Sequence, residues 1–238
     1  MEADARTILI VGGTSGIGRQ LVDSLAGAGH RVIAASRTAP QAGLPAGVET
    51  QIFDATDQDS ALELPEALDA LVYLPGSINL KPFQRFSRDD FQQDLEVNFF
   101  GAIRVLQMAY PALKKSSQPN ASVVLFSTVA VGTGLSFHAS IASAKGAIEG
   151  LGRSLAAEWA PKVRVNVIAP SLTDTPLASN LLAKDGAREA SAKRHPLNLI
   201  GNPAEVAGTA AYLAVGPSSF MTGQVLRPDG GLSSVRPL

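Results

Sequence analysis

The chain contains no cysteine, which excludes disulfides, thiolate zinc sites and iron–sulfur clusters built from its own side chains. Histidine is nearly as scarce. His30, His138 and His195 lie far apart and lack metal-ligand spacing, so no metal is expected. Neither sign of charge is in excess: the formal net charge of −1 gives no reason to expect nucleic acid or a membrane surface as a partner. No apolar run approaches the roughly 20 residues that span a bilayer. The opening stretch MEADARTILIVGG carries acidic residues where a signal peptide would be apolar. A cytoplasmic protein is the expectation. Linkers, repeats and low-complexity tracts are also missing, so one domain over 1–238 is expected, with TAPQAGLPAG (38–47) as a Gly/Pro loop.

What is present is a series of short apolar runs that are continuous rather than alternating, the pattern of strands buried on both faces. They are TILIVG (7–12), RVIAAS (31–36), ALVYLP (70–75), SVVLFST (122–128) and VRVNVIAP (163–170), with VETQIFD (48–54) and GQVLRPDGG (223–231) completing seven. Helical periodicity fills the gaps. Leu21, Leu25 and Ala28 share one face, Phe91 through Ala109 line a long helix at about 87–115, and another spans about 139–160. Strand alternating with helix predicts an α/β Rossmann-type doubly wound fold, a seven-stranded parallel sheet with helices on both faces.

The first strand runs into VGGTSGIGRQL, where Gly12, Gly16 and Gly18 have GxxxGxG spacing at a strand-to-helix turn. Glycine there lets the backbone approach a pyrophosphate, and the helix N-terminus offers it free N–H groups. With FDATD, VNFFG, VRVNVIAPSLTDTPL and GNPAEVAGTAAYLAVGPSSFMTGQVLRPDGG, the chain resembles the short-chain dehydrogenase/reductase family over nearly its whole length.

That resemblance implies a nicotinamide dinucleotide held by Gly12, Thr14, Ser15, Gly16, Ile17 and Gly18, with Asp54 and Ala55 at the adenine. It also implies Gly76 on the floor, Thr175 near the nicotinamide amide and Lys145 on the ribose. At the end of the second strand Ser36 and Arg37 replace the acidic residue that would bind a ribose 2′-hydroxyl; a guanidinium suits a 2′-phosphate, so NADP(H) is favoured over NAD(H). Where the family usually has Asn-Asn-Ala-Gly and Pro-Gly, this chain has YLPG (73–76) and Pro170-Ser171.

Four catalytic positions are implied: an Asn, a Ser, a Tyr and a Lys. Asn98 and Lys145 are kept, Thr128 stands at the serine position, and Ile141 occupies the place of the tyrosine. Isoleucine can neither give nor take a proton. If the helix reaches back far enough, His138, Ile141 and Lys145 share a stripe at i, i+3 and i+7, making His138 the best titratable replacement. Ser140 is expected to cap the helix. His195 is expected to be structural, under a lid at 177–198, and His30 a turn residue.

Two functions are therefore expected in competition. One is an oxidoreductase interconverting a small-molecule carbonyl and a secondary alcohol, with Asn98, Thr128, Lys145 and His138 as its catalytic residues and a relay water beside Asn98. The other is a catalytically silent dinucleotide-binding protein, a redox sensor or a supporting subunit of a hetero-oligomer. A homotetramer or homodimer through the two long helices is implied by analogy with the family.

Overall fold

The computed structural model describes residues 5–40 and 43–236. The acidic opening residues 1–4 and positions 41 and 42 of the Gly/Pro loop fall outside the described residues. Seven strands form one sheet: β1 (Thr7–Val11), β2 (Arg31–Ser36), β3 (Glu49–Ile52), β4 (Ala70–Tyr73), β5 (Ala121–Phe126), β6 (Val163–Ile168) and β7 (Val225–Leu226). All pair in parallel, in the order β3-β2-β1-β4-β5-β6-β7. The strands end earlier than the apolar runs suggest, because TILIVG, ALVYLP and VRVNVIAP continue past the sheet into loops at its C-terminal edge.

The helices are α1 (Gly16–Gly27), α2 (Arg88–Leu95), α3 (Gly101–Leu113), α4 (Ala130–Thr133), α5 (Ala139–Trp159), α6 (Ser179–Leu182), α7 (Ala187–Ala192) and α8 (Pro203–Ala214). On one face of the sheet, Leu106 and Ala109 of α3 and Ile148 and Ala156 of α5 pack on Leu9, Leu71, Val123 and Val165. On the other, Leu21, Val22 and Leu25 of α1 and Val206, Ala210 and Leu213 of α8 pack on Ile8, Ile10, Val72 and Val124. Alternate residues of each strand thus serve opposite layers, which is why the runs are continuous. Ala28 does not join the buried face of α1; it is exposed at the C-cap.

The single long helix expected at about 87–115 is interrupted. Ser87 and Asp90 cap α2 reciprocally, the Ser87 hydroxyl accepting from Asp90 N and the Asp90 carboxylate from Ser87 N. After Leu95 the chain widens into one π-helical turn, Glu96–Phe100, before α3 resumes. Such turns recur at functional sites because the extra residue turns a side chain out of helical phase. Here that side chain is Asn98, fully buried.

Candidate functional site

Strand order reverses across β1 and β4, and a doubly wound sheet opens a crevice at that point. The cleft there has a volume of about 340 Å³. Every residue that the sequence nominated for a dinucleotide, apart from Lys145, lines it: Gly12, Thr14, Ser15, Gly16, Ile17, Gly18, Ser36, Arg37, Asp54, Ala55, Gly76 and Thr175. Thr38, Phe53, Thr56, Val97, Phe126 and Leu177, to which sequence reasoning assigned no role, are also among its lining residues.

The glycine turn is built by close approach. A Cβ on Gly18 would stand 2.1 Å from the Gly12 carbonyl oxygen, so α1 can begin this close to β1 only with glycine there. Ser15 is the N-cap but its side chain makes no capping bond, and the first turn of α1 carries no acidic residue. The helix N-terminus is left able to receive an anion.

At the far rim Ser36 donates to the Thr38 carbonyl at 2.6 Å, and Arg37 is exposed beside it. Asp54 stays charged below the usual carboxylate range, first because the Thr56 backbone N–H bonds it, then through the Thr56 hydroxyl and the Arg37 and Arg104 guanidiniums. Arg104 of α3 organises this loop from beneath, donating to the carbonyl oxygens of Asp54, Asp57, Gln58 and Ser60 while lying over the Phe53 ring.

The other end of the cleft meets a buried polar cluster. Asn98 Nδ2 donates to Ser77 Oγ at 2.8 Å and to the Asp94 carbonyl at 2.7 Å, while Ser77 Oγ donates to Asp94 Oδ1 at 2.6 Å. Asn98 Oδ1 and Asp94 Oδ2 are buried without a partner. A methyl built on Gly76 would lie 3.2 Å from Asn98 Oδ1 and 3.5 Å from Lys145 Nζ, so both groups converge on the space over that glycine. Burial pushes the Lys145 ammonium down to about 8, against an opposing pull from the Asp94 carboxylate. A buried acceptor without a partner beside a buried amine calls for a water or a ligand group between them.

Thr128 follows β5 with its hydroxyl accepting from Ala130 N at 3.3 Å. Ser127 turns the other way, donating to buried Glu149 at 2.7 Å. Ile141 is buried within α5, one turn ahead of Lys145. None of the three tyrosines stands on α5. Tyr73 donates its hydroxyl to the Val97 carbonyl at 2.7 Å, and burial holds the phenol protonated far above neutral pH. Tyr110 stacks on Trp159, and Tyr212 is at the end of α8.

His138 stands at the very start of α5, its carbonyl accepting from Ala142 N at 2.8 Å. Phe137 takes φ +70°, so the chain turns sharply and α5 begins only at Ala139, with His138 as N-cap. The His138 Nδ1 lies 2.7 Å from the Ser136 carbonyl oxygen; a carbonyl can only accept, so this nitrogen carries the proton and Nε2 is left free. Ser140 does not cap the helix; it is buried in the first turn, its hydroxyl 3.4 Å from the Asp90 carbonyl oxygen.

His195 is buried and structural in its contacts. Its Nδ1 donates to the Ser191 carbonyl at 2.9 Å, so Nε2 accepts from the Ser171 hydroxyl at 2.7 Å. This ties the 177–198 segment to the loop after β6, and the Asp174–Arg188 pair, bonded at 2.8 Å through both oxygens, adds a second tie. His30 accepts from Arg6 N at the opposite edge of the sheet. Among the described residues there is no cluster of His, Asp or Glu fit for a metal ion and no helix long and apolar enough to cross a membrane.

A parallel sheet in this order, with a glycine turn at its switch point, defines a Rossmann-type doubly wound α/β protein. Residues 11–233 match the family model described as enoyl-(acyl carrier protein) reductase. The chain is 33% identical over 256 residues to a tropinone reductase homolog of Arabidopsis thaliana, covering 98% of this chain and 96% of the relative. It is likewise 33% identical over 248 residues to a 3-oxoacyl-(acyl-carrier-protein) reductase of Thermotoga maritima, covering 98% and 99%. Among solved structures, ligand-free aldohexose dehydrogenase of Thermoplasma acidophilum superposes with a TM-score of 0.87 at 26% identity, over 98% of this chain and 96% of that one. The chain belongs to the short-chain dehydrogenase/reductase family of oxidoreductases.

Proposed function

We propose that the protein is an NADPH-preferring oxidoreductase that interconverts a small-molecule carbonyl and a secondary alcohol, with Ile141 standing where relatives carry a catalytic tyrosine. The observation that carries this reading is the convergence of Asn98 Oδ1 and Lys145 Nζ over Gly76, at the end of a cleft lined by the glycine turn. When bound, the nicotinamide supplies or accepts hydride; the protein's part is to bind, orient and move a proton. Gly12, Gly16 and Gly18 admit the pyrophosphate, Arg37 takes the 2′-phosphate, Asp54 and Ala55 face the adenine, and Thr175 meets the nicotinamide amide. Lys145 holds the nicotinamide ribose, Thr128 donates to the substrate oxygen, and Asn98 supports a relay water. The proton comes through that water, or from His138 once its Nε2 has taken up a proton from solvent.

The buried Ile141 favours a second reading, a dinucleotide-binding protein without turnover, because losing a positioned acid removes roughly 10²–10⁴-fold in rate. Single-turnover oxidation of bound NADPH across a carbonyl panel, beside Ile141→Tyr, separates the two. Turnover by the native chain supports the reductase; turnover by the variant alone supports silence. His138→Ala that lowers turnover without weakening NADPH binding assigns the proton to His138, and no change assigns it to water.

A further inference from the structure

Asp94 takes no part in the proposed chemistry, yet it is a buried carboxylate bonded into the cluster that holds Asn98. It stands one helical turn ahead of Asn98, 2% exposed, in a helix whose neighbouring positions 92, 93 and 96 are exposed. Its Oδ1 is fixed by the Ser77 hydroxyl, its carbonyl by Asn98, and its Oδ2 has no partner. An unneutralised carboxylate in such a place is costly unless a cation shares its surroundings. The cation here is Lys145, whose Nζ shares the space over Gly76 with the Asn98 amide that Asp94 and Ser77 hold, and which feels the Asp94 charge.

We propose that Asp94 is a positioning residue that holds the proton on Lys145, so that the Lys145 ammonium stands as the proton store of this site. The inference rests on the reductase reading for its use in turnover. In reduction, the substrate carbonyl carbon accepts hydride from the reduced dinucleotide, its π pair moves to oxygen, and one proton must reach that oxygen. Lys145 gives that proton to the relay water beside Asn98, the water passes its own to the substrate oxygen, and Lys145 regains a proton from solvent. No tyrosine is needed, but the ammonium form must be populated.

Other charged groups do not take over the part. On α2, Arg88 and Asp89 are exposed and Asp90 is paired with Lys81 at 2.7 Å. Glu96 of the wide turn is exposed. On β6, Arg164 is bonded to Asn120 and to the Met221 and Leu213 carbonyls. On α5 itself, Glu149 accepts from Ser127 and has Arg153 at 3.9 Å, while His138 is bonded to its own loop. The charge acting on Lys145 is that of Asp94.

The test is competitive acetylation of the cofactor-free protein with acetic anhydride across pH 6–11, reading the Lys145 peptide by mass spectrometry (pH range on the order of the lysine titration). Asp94→Asn keeps an acceptor for Ser77 and removes only the charge, so the Lys145 midpoint should fall by about one pH unit. An unmoved or raised midpoint overturns the proposal. Should Asp94→Asn fail to fold, Lys145→Met carries the same question in reverse: the Asp94 carboxyl, followed by carbon NMR, must titrate higher by the same interval. An unchanged Asp94 titration overturns the proposal equally. In turnover, the alkaline limb of the pH–rate profile should move down with the acetylation midpoint. A moved midpoint in a protein that shows no turnover overturns the reductase reading and leaves the hold of Asp94 on Lys145 standing.

Discussion

Arg104 Nη1 donates to the Asp54 carbonyl oxygen at 3.1 Å, and through this bond α3 sets the height of the loop that forms the outer wall of the cleft. The same guanidinium also bonds the Asp57, Gln58 and Ser60 carbonyls, adding to the loop's own Asp57 N–Asp54 O and Ser60 N–Asp57 O bonds. Arg104→Ala should cost about 2 kcal/mol of stability and weaken NADPH binding about tenfold. Denaturant unfolding and a fluorescence titration check the two parts. Arg104→Lys should not restore the wild-type values, since a single ammonium cannot reach several carbonyls in one plane.

Arg37 is the specificity position of the rim. Arg37→Asp places a carboxylate where a 2′-phosphate would sit, repelling NADPH and offering an acceptor to a ribose hydroxyl. NADPH affinity should fall by at least about tenfold while NADH affinity rises. Parallel titrations with the two reduced nucleotides decide it; an unchanged ratio would show that Arg37 is solvated and idle.

Lys145 leaves a mark on stability in the absence of any ligand. Its pKa falls from 10.5 to about 8 in the folded protein, chiefly because burial disfavours the charge. Between those values the unfolded chain keeps a proton that the native state has lost, so stability rises with pH across the window. The gain, relative to Lys145→Met, should approach about 3 kcal/mol by the top of the window. Urea midpoints of both proteins from pH 7.5 to 10.5 provide the measurement (range on the order of the window above). Parallel curves would mean that Lys145 titrates as an exposed lysine.

Gly18→Ala tests the turn itself. The new methyl meets the Gly12 carbonyl oxygen, and the first turn of α1 must back away from β1. A loss of about 1–3 kcal/mol is expected from overpacking. Nucleotide binding should fall further than stability does, because the N–H groups of that turn are displaced.

The sheet was legible because a strand buried on both sides cannot alternate, and the five most apolar runs, separated by helical periodicity, point to parallel pairing. The cleft was legible for a related reason: the glycine turn and Asp54 stand just after the C-terminal ends of β1 and β3. Asp94 escaped notice because FQQDLE reads as a solvated helix surface; its burial comes from Ser77, in a different loop, and from the wide turn after it. Nothing in EVNFF announces that turn. The stripe through His138 asked the helix to reach back to Phe137; α5 instead starts at Ala139 with His138 as its N-cap, because the positive φ at Phe137 ends helical geometry there. Ser171 and His195 are 24 residues apart, so their pairing became visible only with the fold.

The wide turn at Glu96–Phe100 makes α2 and α3 independent in phase. Deleting a single residue there would let the two join as one regular helix, and would rotate α2 by about 100° against α3. The sheet packing of Val105, Leu106 and Ala109 would survive. Asp94 would swing out to solvent and Asn98 would leave Gly76, so the shortened chain should still fold and keep its outer nucleotide rim while the inner end of the cleft falls apart.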